Sequence, residues 1–180
     1  MTDGVCRRKI YLVDIENLIG GPSFWALAKM WALIQENIPV GPDDVVLVGT
    51  GYQHYADVID AAWPQARCII YQGEDGADLA LLYTFDTYNL ALFSEVVIVS
   101  GDHIFAKTVT RLLKRGISVT ILSSKRHTSH KLRETGARMI AIEDCPAPGM
   151  IDPIALALPD SIVIRNPPNI RPKRKPRKKQ

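Results

Sequence analysis

The sequence is poor in cysteine and has no long apolar run. Its three cysteines, Cys6, Cys68 and Cys145, are widely spaced and odd in number, which argues against a disulfide framework and leaves no pair at zinc-ligand spacing. No stretch approaches the roughly 20 apolar residues of a membrane span. The apolar run that follows Arg7, Arg8 and Lys9 is broken by Asp14 and Glu16, so no signal peptide is expected. These absences point to a soluble protein of a reducing compartment, the cytoplasm, with no membrane partner. Two phosphate-handling motifs are missing as well. Asp14-Ile15-Glu16 lacks the second aspartate of an Asp-x-Asp phosphotransfer motif, and no Gly-rich loop follows the first apolar run, which leaves a small-molecule phosphohydrolase without support.

What is present is ordinary in bulk and uneven in detail. With 180 residues, 47% of them apolar and 23% charged, the chain has the length of one domain and enough apolar side chain for a sizeable core. Its net charge of +3 conceals two unlike segments. Residues 1–164 carry 14 basic against 19 acidic side chains, a net −5, whereas the last 16 residues carry eight Lys and Arg and no acid. An acidic body therefore precedes a strongly basic tail. Eight of the twelve prolines lie from Pro146 onward, where helical and alternating patterns fade. The expected organisation is a folded domain over 1–145 and a Pro-rich, basic extension over 146–180, disordered from about residue 165.

Short β-branched runs alternate with longer helical patterns along the body. Strands are expected at Ile10–Asp14, Val45–Gly49, Arg67–Gln72, Glu95–Ser100, Ile117–Leu122 and Arg138–Ile142. Helices are expected at Ser23–Asn37, Tyr52–Trp63, Gly76–Leu92, His103–Arg115 and Thr128–Thr135. That rhythm is the signature of βαβ units, and strands this apolar belong to a mostly parallel sheet covered on both faces, a three-layer α/β domain of five or six strands.

In such sheets ligands bind outside the carboxyl ends of the strands, where strand order reverses. Three acids fall there: Asp14 ends strand one, Asp102 follows strand four, and Asp78 lies in the first turn of the helix after strand three. Singly, Asp78 and Asp102 read as helix caps or dipole partners. Asp14, ending a central apolar strand, needs a partner. If strands one and four are neighbours, the three acids share one edge. Two carboxylates about 4 Å apart repel by about 4 kcal/mol at a surface-like dielectric. Such a cluster shares protons or holds a hard cation, and oxygen-only donors suit Mg²⁺ or Mn²⁺, ions able to activate a water against a phosphodiester.

Three motifs then resemble one known family. Asp14-Ile15-Glu16-Asn17 matches the Asp-x-x-Asn opening of the NYN domain, a branch of the PIN-like metal-dependent nucleases. Gly76-Ala77-Asp78 resembles its second acidic motif, and Ser100-Gly101-Asp102-x-x-Phe105 its Ser-Gly-Asp-x-Asp-Phe motif. The resemblance runs over about residues 9–144. It implies a Rossmann-like, PIN-like sheet of order 3-2-1-4-5, a Mg²⁺ or Mn²⁺ site, and single-stranded RNA as substrate. By the same resemblance Asp14, Asp78 and Asp102 are the catalytic, metal-holding acids, and Asn17 and Ser100 shape the site. The sequence departs from the family pattern at Ile104, where an aspartate is usual, at Thr84, where many members carry an acid, and at Asp75, where a basic residue is frequent. Glu16, Asp75 and Asp86 are the acids nearest to making good those losses.

The loop after strand five, Ser123 to Lys131, emerges at the same edge and carries Lys125, Arg126 and Lys131 with hydroxyls that suit phosphates of a single strand. Its plain alternative is a solvated loop with Thr128 or Ser129 capping a helix. His103 adjoins Asp102 and is placed to meet substrate or leaving group. Lys107, Arg111 and Lys114 form a basic helical stripe that reads as a wet helix face. Lys173, Arg174 and Lys175 in the tail supply long-range attraction for a polyanion. The first helix, with Phe24, Trp25, Leu27, Ala28, Met30, Trp31 and Ile34, is apolar over more than one face, which suggests a homodimer contact. Two functions from different classes follow: a metal-dependent ribonuclease, and an RNA-binding module with little or no catalysis.

Overall fold

A computed structural model describes residues 8–18, 24–73 and 75–142. Six strands, β1 (Arg8–Asp14), β2 (Val45–Thr50), β3 (Ala66–Ile70), β4 (Phe93–Val99), β5 (Ser118–Ser124) and β6 (Arg138–Ile142), form one sheet in the order β3-β2-β1-β4-β5-β6. Every pairing is parallel. The helices are α1 (Ile15–Leu18), α2 (Phe24–Asn37), α3 (Tyr55–Ala62), α4 (Gly76–Phe85), α5 (Ala106–Lys114) and α6 (His130–Arg133). The expected order holds over the first five strands, with β6 added at the far edge. Chain order reverses between β1 and β4, which opens the crevice where such sheets bind ligands.

Alternation along each strand splits the core into two layers. Tyr11 and Val13 of β1, Val46 and Val48 of β2, and Val97 and Val99 of β4 face α2 and α3, meeting Leu27, Met30, Ile34, Ile59 and Trp63. Ile10 and Leu12, Leu47, Val96 and Ile98 face α4 and α5, meeting Leu81, Phe85, Phe105, Val109 and Leu112. Trp63 is fully buried, and its indole N–H donates to the Leu27 carbonyl at 2.9 Å, so a large ring enters the core with no unpaired donor.

Several elements differ from expectation. The long helix after β3 ends at Phe85, because Thr87 Oγ1 donates to the Thr84 carbonyl and the Asn89 side chain accepts from the Ala91 N–H. Both side chains offer the backbone partners that compete with helix. A 3-10 turn at Leu90–Leu92 then leads into β4. The helix expected from His103 begins as a 3-10 turn, His103–Phe105, before α5. β5 runs two residues past Leu122, so Ser123 and Ser124 are buried strand residues rather than loop hydroxyls. Part of the apolar surplus of α2 is met within the chain: Trp31 packs on Trp63 with ring centroids 5.3 Å apart, and no described side chain of α2 is an exposed large apolar one. The C-terminal extension, including Lys173, Arg174 and Lys175, and the boundary expected near residue 145 lie outside the described residues. Among the described residues Cys68 is the one cysteine; it is unpaired, and burial pushes its thiol up to about 12. Among them, too, no helix is long and apolar enough to cross a membrane.

Replacing Trp63 by Ala removes this ring from between α2 and α3 and should lower unfolding stability by about 3–5 kcal/mol. Urea denaturation followed by circular dichroism measures it.

Candidate active site

Asp14 closes β1 with the parity of Ile10 and Leu12, so its side chain projects toward the α4 and α5 face. It is 4% exposed. A carboxylate so placed must be hydrogen-bonded, and two groups serve it. Ser100, the residue after β4, donates its hydroxyl to Asp14 Oδ2 at 2.7 Å, and the Asn17 N–H donates to Oδ1 at 3.2 Å. β1 and β4 are thus joined across the reversal point by side chains as well as by their ladder. Ser100 Oγ also accepts the Asp102 N–H at 3.0 Å, so one buried hydroxyl orients two of the three acids.

Asp102 caps the 3-10 turn at His103–Phe105, its Oδ1 accepting the Ile104 N–H at 2.9 Å. The capping role read from sequence is therefore real, and it coexists with a position in the acid cluster. The same oxygen lies 2.8 Å from His103 Nδ1, on a ring whose side chain is 63% exposed. Asp78 arrives on α4. Gly49, the register partner of Asp14, lies under the first turn of α4: a Cβ there would stand 3.1 Å from the Ala77 carbonyl oxygen. That close approach sets the next residue, Asp78, beside Asp14.

Burial, opposed by the bonds from Ser100 and Asn17, pushes Asp14 up to about 6, with Asp102 and Glu16 adding to the rise. Burial and the charges of Asp14, Asp102, Asp75 and Glu16 push Asp78 up to about 8. The two titrate as a pair. Glu16 is held by β2, accepting hydrogen bonds from the Gly51 N–H and from Thr50 Oγ1. Asp75 is exposed and left-handed (φ 53°) and makes no side-chain cap on α4. Asp86, at the far end of α4, is ion-paired with Arg111 and is not part of the cluster.

The donor set is all oxygen and anionic, with two acids forced upward by burial and mutual repulsion. That is the chemistry a hard divalent cation relieves. Among the described residues no three His, Cys, Asp or Glu side chains converge into a ready ligand cage, so water has to complete any ion's coordination, as Mg²⁺ prefers.

Gly101 has a reason that sequence did not reveal. It is not in a left-handed turn; a Cβ there would lie 2.2 Å from the His127 carbonyl oxygen and 3.2 Å from Asn17 Oδ1. The Gly101 N–H donates to Asn17 Oδ1 at 2.9 Å, and its carbonyl accepts the Ser129 N–H at 2.8 Å. The loop after β5 is thereby pinned to the residue preceding Asp102. Lys125, Arg126 and Lys131 are exposed on that loop and on α6. The expected hydroxyl ligands are occupied: Ser123 bonds Thr128, Ser124 Oγ accepts the Arg126 N–H, and Ser129 caps α6. Also missed from sequence were Thr50 and Gly51, whose Gly-Thr-Gly run at the end of β2 was the available signal, and Gly76, where a Cβ would stand 2.9 Å from the Tyr71 ring.

Two predictions follow from this geometry. Gly101→Ala forces the loop after β5 away and should cost about 1–3 kcal/mol of stability, read from denaturant midpoints. Because the folded chain holds protons on Asp14 and Asp78 above the ordinary carboxylate range, their contribution to stability is full at low pH and is lost as pH rises through about 6 to 8. The melting temperature of metal-free protein should fall by about 3–6 °C from pH 5 to pH 8, and Asp78→Asn should flatten that decline.

The family model for the NYN domain matches residues 45–143, from the start of β2 through β6, so that Asp78 and Asp102 lie inside the match and Asp14 before it. No curated protein matches the chain. Among solved structures, the crystal structure of a protein of unknown function from Vibrio parahaemolyticus is similar in fold, with a TM-score of 0.51 and 18% sequence identity over 77% of this chain and 94% of that one. With more than half its length covered by the family model, the chain belongs to the NYN domain family of PIN-like proteins.

Proposed function

We propose that the protein is a metal-dependent endoribonuclease that cleaves phosphodiester bonds of single-stranded RNA with Mg²⁺ or Mn²⁺. The observation that carries this is the buried Asp14, held by Ser100 and Asn17 at the β1/β4 reversal with Asp78 and Asp102 beside it. Asp14, Asp78 and Asp102 are the residues to hold the ion, with Glu16 and Asp75 adding negative charge nearby. When bound, such an ion supplies charge neutralisation on the phosphodiester and a water acidified enough to attack it.

The chain's own residues do the remaining work. Ser100 holds the Asp14 carboxylate and the Asp102 backbone, and the Ile104 N–H holds the Asp102 carboxylate, so that neither acid needs rearrangement during reaction. Asp102 accepts from His103 Nδ1, which leaves Nε2 of an exposed ring to take a proton from an attacking water or, when the ring is doubly protonated, to hand its Nε2 proton to a leaving oxygen. Lys125, Arg126 and Lys131 bind the phosphates that flank the scissile one, and the tail cations Lys173, Arg174 and Lys175 raise the local concentration of RNA around an otherwise acidic domain.

A second function, RNA binding with weak or no catalysis, is favoured by two residues, Ile104 and Thr84, which stand where the family usually carries acids. The two are separated by incubating labelled single-stranded RNA with the full chain, with Mn²⁺ or with EDTA. Cleavage that is abolished by EDTA, restored by Mn²⁺, and lowered at least about a hundredfold in Asp14→Asn/Asp102→Asn is the expected result. Parental rates in that double variant would overturn the ribonuclease. Mn²⁺ should also raise the melting temperature more at pH 8 than at pH 5, since protons compete for the same carboxylates.

A further inference from the structure

The basic stripe on α5 is exposed, but it borders a groove rather than a flat helix face. α4 packs over β1, β2 and β3 and α5 over β5, and between the helices lies a groove of about 880 Å³. One wall is α4, with Leu79, Leu82 and Tyr83; the other is α5, with Lys107, Arg111 and Lys114. Leu79 is 45% and Tyr83 59% exposed, although both are large apolar side chains. A second cavity of about 490 Å³ shares Asp86, Arg111 and Arg115 with the first and extends it toward the 3-10 turn at Leu90–Leu92. Both helices follow strands of one parallel sheet, so both start at its carboxyl edge. Leu79 directly follows Asp78, and Lys107 lies in the first turn of α5, just past the turn that Asp102 caps. The groove therefore leads away from the acid cluster down one face of the domain.

We propose that this groove binds a single-stranded RNA segment adjoining the phosphodiester at the acids, with its phosphates on Lys107, Lys114 and Arg115 and a base stacked on Tyr83. It rests on the ribonuclease reading for its substrate and names a site separate from the acids and from the loop after β5. Charge selects the occupant. Four cations against the one acid, Asp86, which is already paired with Arg111, attract a polyanion and repel the chain's own basic tail. Chemistry narrows it further: a cationic wall facing an exposed aromatic and aliphatic wall is the arrangement that holds unpaired bases and their backbone together. The stretch from Lys107 to Lys114 spans about 10 Å of helix, the length of a few nucleotides. A duplex offers no free base face to Tyr83, so the groove also selects single strands.

The test is binding of a fluorescein-labelled oligouridylate to full-length protein in EDTA, where cleavage does not intervene, across a salt series. Lys107→Ala/Lys114→Ala should weaken binding about tenfold and reduce the salt slope by about 1.4, the loss of two phosphate contacts. Tyr83→Ala should weaken binding about tenfold with the slope unchanged, and Tyr83→Phe should restore it. These side chains are exposed, and thermal melts confirm that each variant folds. Parental affinity and slope in both the lysine and the tyrosine variants would overturn the groove as an RNA site. So would variants that lose binding of a polyglutamate peptide while keeping that of the oligouridylate, which would mark a protein-docking surface. Variant-sensitive binding in a protein that never cleaves RNA sustains the groove and defeats the ribonuclease. Cleavage and RNA binding indifferent to all three substitutions do the reverse.

Discussion

The site depends on a single buried carboxylate. Asp14 ends a strand whose other inward residues are fully buried, and its hydroxyl partner Ser100 comes from the neighbouring strand across the reversal of chain order. A charged group in that position is costly unless it is hydrogen-bonded. The two bonds it accepts oppose the rise in its proton affinity without cancelling it. The residual strain is electrostatic, and it is shared with Asp78 because α4 begins directly over the end of β2. Folding thus concentrates negative charge where water is scarce, and the protein either retains protons there or offers the charge to a cation. Both outcomes come from the same geometry, which is why stability, pH and metal are linked at this edge.

Absent side chains build that edge as much as present ones. Gly49 lets α4 descend onto β2, Gly76 lets the Tyr71 ring lie against the start of α4, and Gly101 lets the His127 carbonyl approach to a distance that a Cβ forbids. None of these three needs a left-handed backbone; Gly49 and Gly101 are points of contact between elements distant in sequence. The loop after β5 is fastened to Gly101, which Asn17 holds in turn, and Lys125 and Arg126 ride on it. Moving the loop therefore moves the residue that precedes Asp102.

Much of this was legible in the sequence. Strand periodicity gave all six strands within a few residues, and the alternation of elements gave the parallel sheet. The acids Asp14, Asp78 and Asp102 were visible as residues at strand ends, and Asn17 and Ser100 through the family motifs. What was not legible is non-local or is a competition between partners. The shortening of α4 at Phe85 depends on which carbonyl Thr87 finds, and the 3-10 start of α5 on a cap that Asp102 supplies. The reason for Gly101 was not legible because its contact is with His127, 26 positions on. Part of the apolar excess of α2 has a partner that helical spacing does not show: Trp63, at the C-terminal end of α3, stacks against Trp31. The basic stripe of α5 looked like a wet face because its opposing wall belongs to α4, an element that helical spacing alone cannot place.

Charge distribution gains a spatial meaning from the fold. The acids that make the body negative are gathered in part at one edge of the sheet, whereas Lys107, Arg111, Lys114 and Arg115 follow α5 away from that edge and Lys125, Arg126 and Lys131 lie on the loop after β5 and on α6. Because Coulomb attraction between exposed charges fades beyond about 8–10 Å at physiological salt, these local charges rather than the net charge set the field close to each surface. The sign of the whole molecule, +3 or −5 depending on where it is cut, then governs only the first encounter.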